Sequence, residues 1–82
     1  MIKYTGGPGT NQSNAIKIEE AKNGFQGVDA EYRFVEGLGY KVIEQTLLVD
    51  ESTAYDRLLL LDKDKVQTEI WFDISYFYGK RL

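Results

Sequence analysis

Thirteen carboxylates, ten Lys or Arg, and neither a His nor a Cys bound the chemistry open to this chain. Without His the commonest general base is missing, and no Ser or Thr has an imidazole to activate it. No Ser-x-x-Lys spacing takes its place. Without Cys there is no thiolate for zinc and no disulfide, so packing must hold the fold. Acid pairs remain. Glu31 and Asp73 are the first candidate, because two carboxylates about 5–9 Å apart suit glycoside hydrolysis. The simpler reading has Asp73 capping the last turn and Glu31 at a helix edge, near Arg57 or Lys22. Asp50-Glu51-Ser52 and Asp62-Lys63-Asp64 also gather acids. A calcium loop, however, needs acids at alternating positions with a central Gly and a terminal Glu. Both segments read as solvated hairpin tips. No catalytic residue, metal site or cofactor is expected, and the chain reads as non-enzymatic.

The other candidates are aromatic: six Tyr, four Phe and one Trp. Tyr40, Tyr55, Trp71, Tyr76 and Tyr78 would suit a platform for bases or sugars. Nucleic acid is disfavoured, because the net charge is −3 and the only basic clusters are Lys63/Lys65 and Lys80/Arg81. Asp62 and Asp64 interrupt the first of these. Residues 5–14 hold three Gly, one Pro and small polar residues, so residues 1–14 read as a flexible Gly-rich segment. A phosphate-cradling P-loop would end in Gly-Lys-Ser/Thr before a helix. This loop runs instead into Asn14-Ala15-Ile16-Lys17-Ile18.

The elements that position these side chains follow from periodicity. Val66, Thr68, Ile70, Phe72 and Ile74 alternate with Gln67, Glu69, Trp71 and Asp73, the period of a strand with one face on a core. Ala15–Glu19 is a short strand. Asn23 caps a helix over 24–36, with Phe25, Val28, Tyr32 and Val35 on its apolar face and Glu31 off it. Gly37 and Gly39 end that helix. Tyr40–Val49, Thr53–Leu61 and Val66–Ile74 form a three-stranded antiparallel meander. Asp73 or Ser75 then caps a short helical turn ended by Gly79. With a two-residue loop at Lys63-Asp64, Leu58 lies beside Glu69, Leu60 beside Gln67 and Asp56 beside Trp71, on the face opposite Ile70 and Phe72. A three-residue loop would exchange the faces of the second strand relative to the third.

Ser13-Asn14-Ala15-Ile16-Lys17-Ile18, Gly27-Val28-Asp29-Ala30-Glu31-Tyr32, Tyr55-Asp56 and the run from Trp71 to Gly79 together resemble a group of small uncharacterised bacterial proteins. Their pattern reads Glu-Asn-Ala-Ile, Ala-Glu-Tyr, Tyr-Tyr-Asp-Val and Tyr-Phe-Asp-Ile-Thr-x-Phe-Phe-Gly, in that order. The likeness covers about residues 13–79. It departs at Ala54 and Arg57, where Tyr and an apolar residue are usual, and in a short helix-to-strand connection. The resemblance implies a shared α+β fold and a bacterial or phage setting. It implies no activity and no site residues.

Eighty-two residues make one domain. No apolar run reaches the ~20 residues of a membrane helix, and the N-terminus lacks a signal-peptide core. The default location is cytoplasmic, with a mature secreted form also open. One helix covers one sheet face. The other is expected to carry Trp71, Leu58, Leu60 and Leu48, with Tyr40 among the candidate contacts. The chain therefore reads as a protein-protein interaction module, binding a partner protein or a second copy of itself. An acidic inhibitor or immunity-type protein is one version. A small-ligand or carbohydrate-binding domain using the Tyr/Trp platform is the alternative.

Overall fold

The computed structural model describes residues 2–78, as one helix on a five-stranded mixed sheet. The strands are β1 (Lys3–Gly6), β2 (Ile16–Glu19), β3 (Lys41–Asp50), β4 (Thr53–Leu61) and β5 (Gln67–Asp73), and the helix is α1 (Gly24–Gly37). Across the sheet the order is β1-β2-β5-β4-β3. The antiparallel meander β3-β4-β5 is present as expected, but it is only part of the sheet. β2 joins it by parallel pairing with β5, Ile16 opposite Phe72 and Lys17 opposite Asp73. β1 pairs antiparallel with β2 and becomes one edge. The expected free N-terminal segment thus supplies a strand. Its remainder folds back through a single 3-10 turn at Gln12–Asn14 capped by Asn11.

Local chemistry explains each boundary. Asn23 accepts from the Gln26 N–H and starts α1. Gly39, at φ +92°, takes the left-handed conformation that follows its last turn. Asp62 Oδ1 accepts from the N–H groups of Asp64 and Val66, and the Asp62 N–H donates to the Val66 carbonyl. That closes a three-residue loop, Lys63-Asp64-Lys65, with Lys65 left-handed at φ +63°. Leu61 then pairs with Gln67, Leu58 with Ile70, Leu60 with Thr68, Asp56 with Phe72 and Arg57 with Trp71. The pairing is one residue out from the two-residue alternative. It turns Leu58 and Leu60 into the core, away from Trp71.

The core lies between α1 and one sheet face, built from Ile16, Ile18, Ala54, Leu58, Leu60, Phe72 and Ile74 against Ala30 and Val35, with Phe77 closing one end. The helix presents Gly27, Ala30, Glu31 and Val35 to this core, with Val28, Tyr32 and Phe34 at its flanks. Phe25 points outward and is 71% exposed. The face of closest approach is set by small residues rather than large ones. A Cβ on Gly27 would sit 2.4 Å from the Phe77 ring, so only glycine lets helix and ring meet. Tyr4 reaches from β1 to donate to the Ala30 carbonyl at 2.9 Å and packs on Phe34, which meets Phe72 edge-on. In place of a C-terminal helix, residues 75–78 make a single hydrogen-bonded turn, in which the Phe77 and Tyr78 N–H groups both donate to the Ile74 carbonyl. Asp73 accepts from the Ser75 N–H there. Gly79, expected to end it, lies outside the described residues.

Two substitutions test this geometry. Gly27→Ala should lower stability by about 1–3 kcal/mol despite alanine's better helix propensity, and Phe77→Leu in the same chain should recover part of the loss. Lys65→Gly should raise stability by about 0.5–1 kcal/mol, because it removes a left-handed side chain without disturbing the loop. Urea unfolding of each variant reads both outcomes.

Candidate functional site

The β4 register decides which side chains share the face that α1 leaves bare. Tyr55, Arg57, Leu59 and Leu61 project there from β4, with Glu69 and Trp71 beside them on β5 and Thr46 and Leu48 on β3. Glu69 Oε2 accepts from Arg57 Nε and, at 3.2 Å, from Trp71 Nε1. One carboxylate thus ties the indole to the guanidinium. The ion pair is about one-third exposed on both sides, so its role is orientation more than stability. Tyr55 and Trp71 meet at 6.4 Å between ring centres with planes 76° apart. The edge-to-face pair packs the two rings against each other at the centre of the face.

Of the residues expected at this face, Trp71 and Leu48 are on it. Leu58 and Leu60 are not: both are fully buried beneath α1, because the three-residue loop reverses the phase of β4. Tyr40 is half-buried against the core at the start of β3, away from Trp71. Arg57, Leu59 and Leu61 were missed, although the three-residue loop named by the sequence implies them; Tyr55 was named only in the aromatic platform, and Glu69 only as a neighbour on the strand of Trp71. The Gly-rich segment uses its donors internally. The Gly9 N–H goes to the Asn14 carbonyl and the Ala15 N–H to Gln12, while the Gly9 carbonyl accepts from Trp71 N–H at 2.8 Å. The loop therefore extends the sheet beside β5 past the end of β2.

The Glu31–Asp73 pairing is not formed; Asp73 caps a turn instead. Glu31 meets a different acid. It faces into the core with 0% exposure, and Asp56 is 3% exposed on the neighbouring strand. Among the described residues neither Glu31 oxygen finds a donor. A proton resolves half of this, since neutral Glu31 carries an O–H that Asp56 can accept. Burial first, then the Asp56 carboxylate, pushes the Glu31 pKa up to about 10. Gln45 Nε2 donates to Asp56 Oδ2 at 3.0 Å, and the Tyr32 hydroxyl donates to Gln45 Oε1 at 3.1 Å. The Tyr32 hydroxyl is likewise shifted upward, by burial and then by Glu31, Asp56 and Glu36. Its signal in the sequence was spacing: Glu31 stands four residues after Gly27 and four before Val35, on the packed stripe.

No group of three or more His, Cys, Asp or Glu among the described residues is placed to hold a metal ion. No helix among them is long and apolar enough to cross a membrane. Comparison with known proteins finds no matching family model, no matching curated protein and no matching solved structure.

The acid pair predicts a pH signature. Unfolded Glu31 titrates near 4.5 and folded Glu31 near 10, so between these values the folded state holds the extra proton. The stabilisation is complete below about pH 4.5 and is lost as pH rises toward 10. Glu31→Gln keeps a donor toward Asp56 without a titrating proton. It should flatten that slope and raise stability at pH 9 on the order of 1–3 kcal/mol. Denaturation midpoints from pH 5 to pH 9 check it; parallel slopes for the two proteins would disprove the buried protonated state.

Proposed function

We propose that this chain is a non-enzymatic protein-binding module that docks through its helix-free sheet face, centred on Trp71. The observation that carries the reading is the composition of that face. A Trp and an Arg held by one carboxylate, with a Tyr against the Trp ring, stand at its centre, with Leu48, Leu59 and Leu61 around them, while α1 lies on the other side. Trp, Tyr and Arg are the residue types that dominate binding hot spots when desolvated by a partner. Pre-oriented side chains also lose less entropy on docking. The occupant is a partner protein or a second copy of the chain, and the proposed setting is bacterial or phage cytoplasm. A net charge of −3 is compatible with the narrower role of an acidic inhibitor that covers a basic site.

Trp71→Ala and Leu48→Lys test it. Both positions lie outside the helix-covered core, so both variants should keep the wild-type circular dichroism spectrum. Association, measured by sedimentation velocity for self-pairing and by titration calorimetry with a co-purified partner, should weaken at least tenfold for Trp71→Ala. An apolar interface predicts little dependence on salt, whereas the inhibitor role predicts a steep one. Unchanged association in both variants, or loss of the fold on Trp71→Ala, would sink the proposal.

A further inference from the structure

On the opposite side of the sheet, a gap lies between the first turns of α1, at Gly24 and Val28, and β3, at Gln45 and Leu47. The gap is a hollow open to solvent, about 270 Å³ in volume, just under the roughly 300–1,000 Å³ of drug-sized ligand sites and large enough for a long side chain. Its walls are Val28, Leu47, Ile74 and Phe77, and its one carboxylate is Asp56. Behind Asp56 lies Glu31, wholly buried and without a donor. The three ion pairs among the described residues join Lys3 to Glu20, Arg33 to Asp29 and Arg57 to Glu69, so none of them neutralises this pair. Leu47 and Tyr78, which line it, are each about half exposed and form an apolar rim.

These observations select the ligand by chemistry. A buried carboxylate pair with one proton leaves one negative charge at the cavity wall, and such a charge calls for a cation. A metal ion needs several oxygen ligands, and here only one carboxylate faces the space. Apolar walls with a single anionic end instead fit an alkyl stem that carries one compact positive head. The apolar rim adds a surface that a macromolecule covers and a free amine does not. We propose that this cavity receives a lysine side chain of a partner protein, its stem against Val28 and Leu47 and its ammonium on Asp56. The site is separate from the Trp71 face and does not depend on it.

The test uses the full chain labelled with nitrogen-15 and, as probe, the capped tripeptide acetyl-Gly-Lys-Gly-amide, with n-butylammonium and n-butanol for comparison. A second protein carrying Lys80→Ala and Arg81→Ala is titrated in parallel, so that no C-terminal cation of the chain competes. Saturable amide shifts at Val28, Leu47, Asp56 and Tyr78 are expected with the peptide in at least one of the two proteins. They should be absent with n-butanol and weakened at least tenfold by Asp56→Asn. Should Asp56→Asn fail to fold, Leu47→Lys decides: at a half-exposed wall position it supplies an ammonium in cis and should abolish the shifts. Trp71→Ala should leave them intact. Tighter binding of n-butylammonium than of the peptide would overturn the protein partner in favour of a free amine. Equal response to n-butanol, or no saturable shift in either protein, would overturn the site itself.

Discussion

Asp62 governs more of this molecule than any other surface residue. One carboxylate oxygen takes two backbone N–H groups and closes a three-residue loop, and that loop sets the phase of β4 against β5. A strand has a period of two, so a slip of one residue would move its whole apolar set to the other face. In β4 both alternatives are plausible by composition, because Leu58, Leu59, Leu60 and Leu61 follow one another. The turn selects Leu58 and Leu60 for the core and leaves Tyr55, Arg57, Leu59 and Leu61 beside Trp71. Everything proposed for the helix-free face rests on that choice.

The second constraint is the shortage of covering elements. A single helix of 14 residues must shield one face of a five-stranded sheet. It does so by packing closely at Gly27 and Ala30, over a core in which Ile16, Ile18 and Phe72 of the parallel β2–β5 pair are buried. The far strand, β3, is left with Leu47 half exposed and Val49 more so. β3 is also a free edge, blunted by a bulge between Val42 and Glu44. The two surfaces where binding is proposed are therefore both consequences of one small helix on a wide sheet.

Glu31 shows how such a compact core tolerates an acid. Kept neutral, it acts as a polar donor facing Asp56, and Asp56 is further held by Gln45. A chain from the Tyr32 hydroxyl through Gln45 to Asp56 ties α1, β3 and β4 together at the margin of the apolar core. The arrangement favours the folded state less as pH rises, and it gives the cavity beside it a negative wall.

Much of this architecture was legible in local spacing. Asn23 at the start of α1, Gly39 after it, and the period-two run of β5 read correctly, because capping, left-handed turns and alternation depend on neighbours along the chain. The bare sheet face and the place of Trp71 and Leu48 on it were likewise within reach of the sequence. The joining of β2 to β5 was not, since parallel pairing between residues 16 and 72 leaves no local mark. The phase of β4 was left between two loops that differ by one residue. Phe25 was read as core and Glu31 as edge, because hydrophobicity ranked above the small side chains that allow close approach. By itself, then, the sequence determined the helix and four of the five strands, while β1 was hidden in a segment read as flexible. Tertiary structure alone decided which face of β4 and of α1 is buried, that β1 and β2 join the sheet, and which acids meet, because those depend on contacts between segments far apart in the chain.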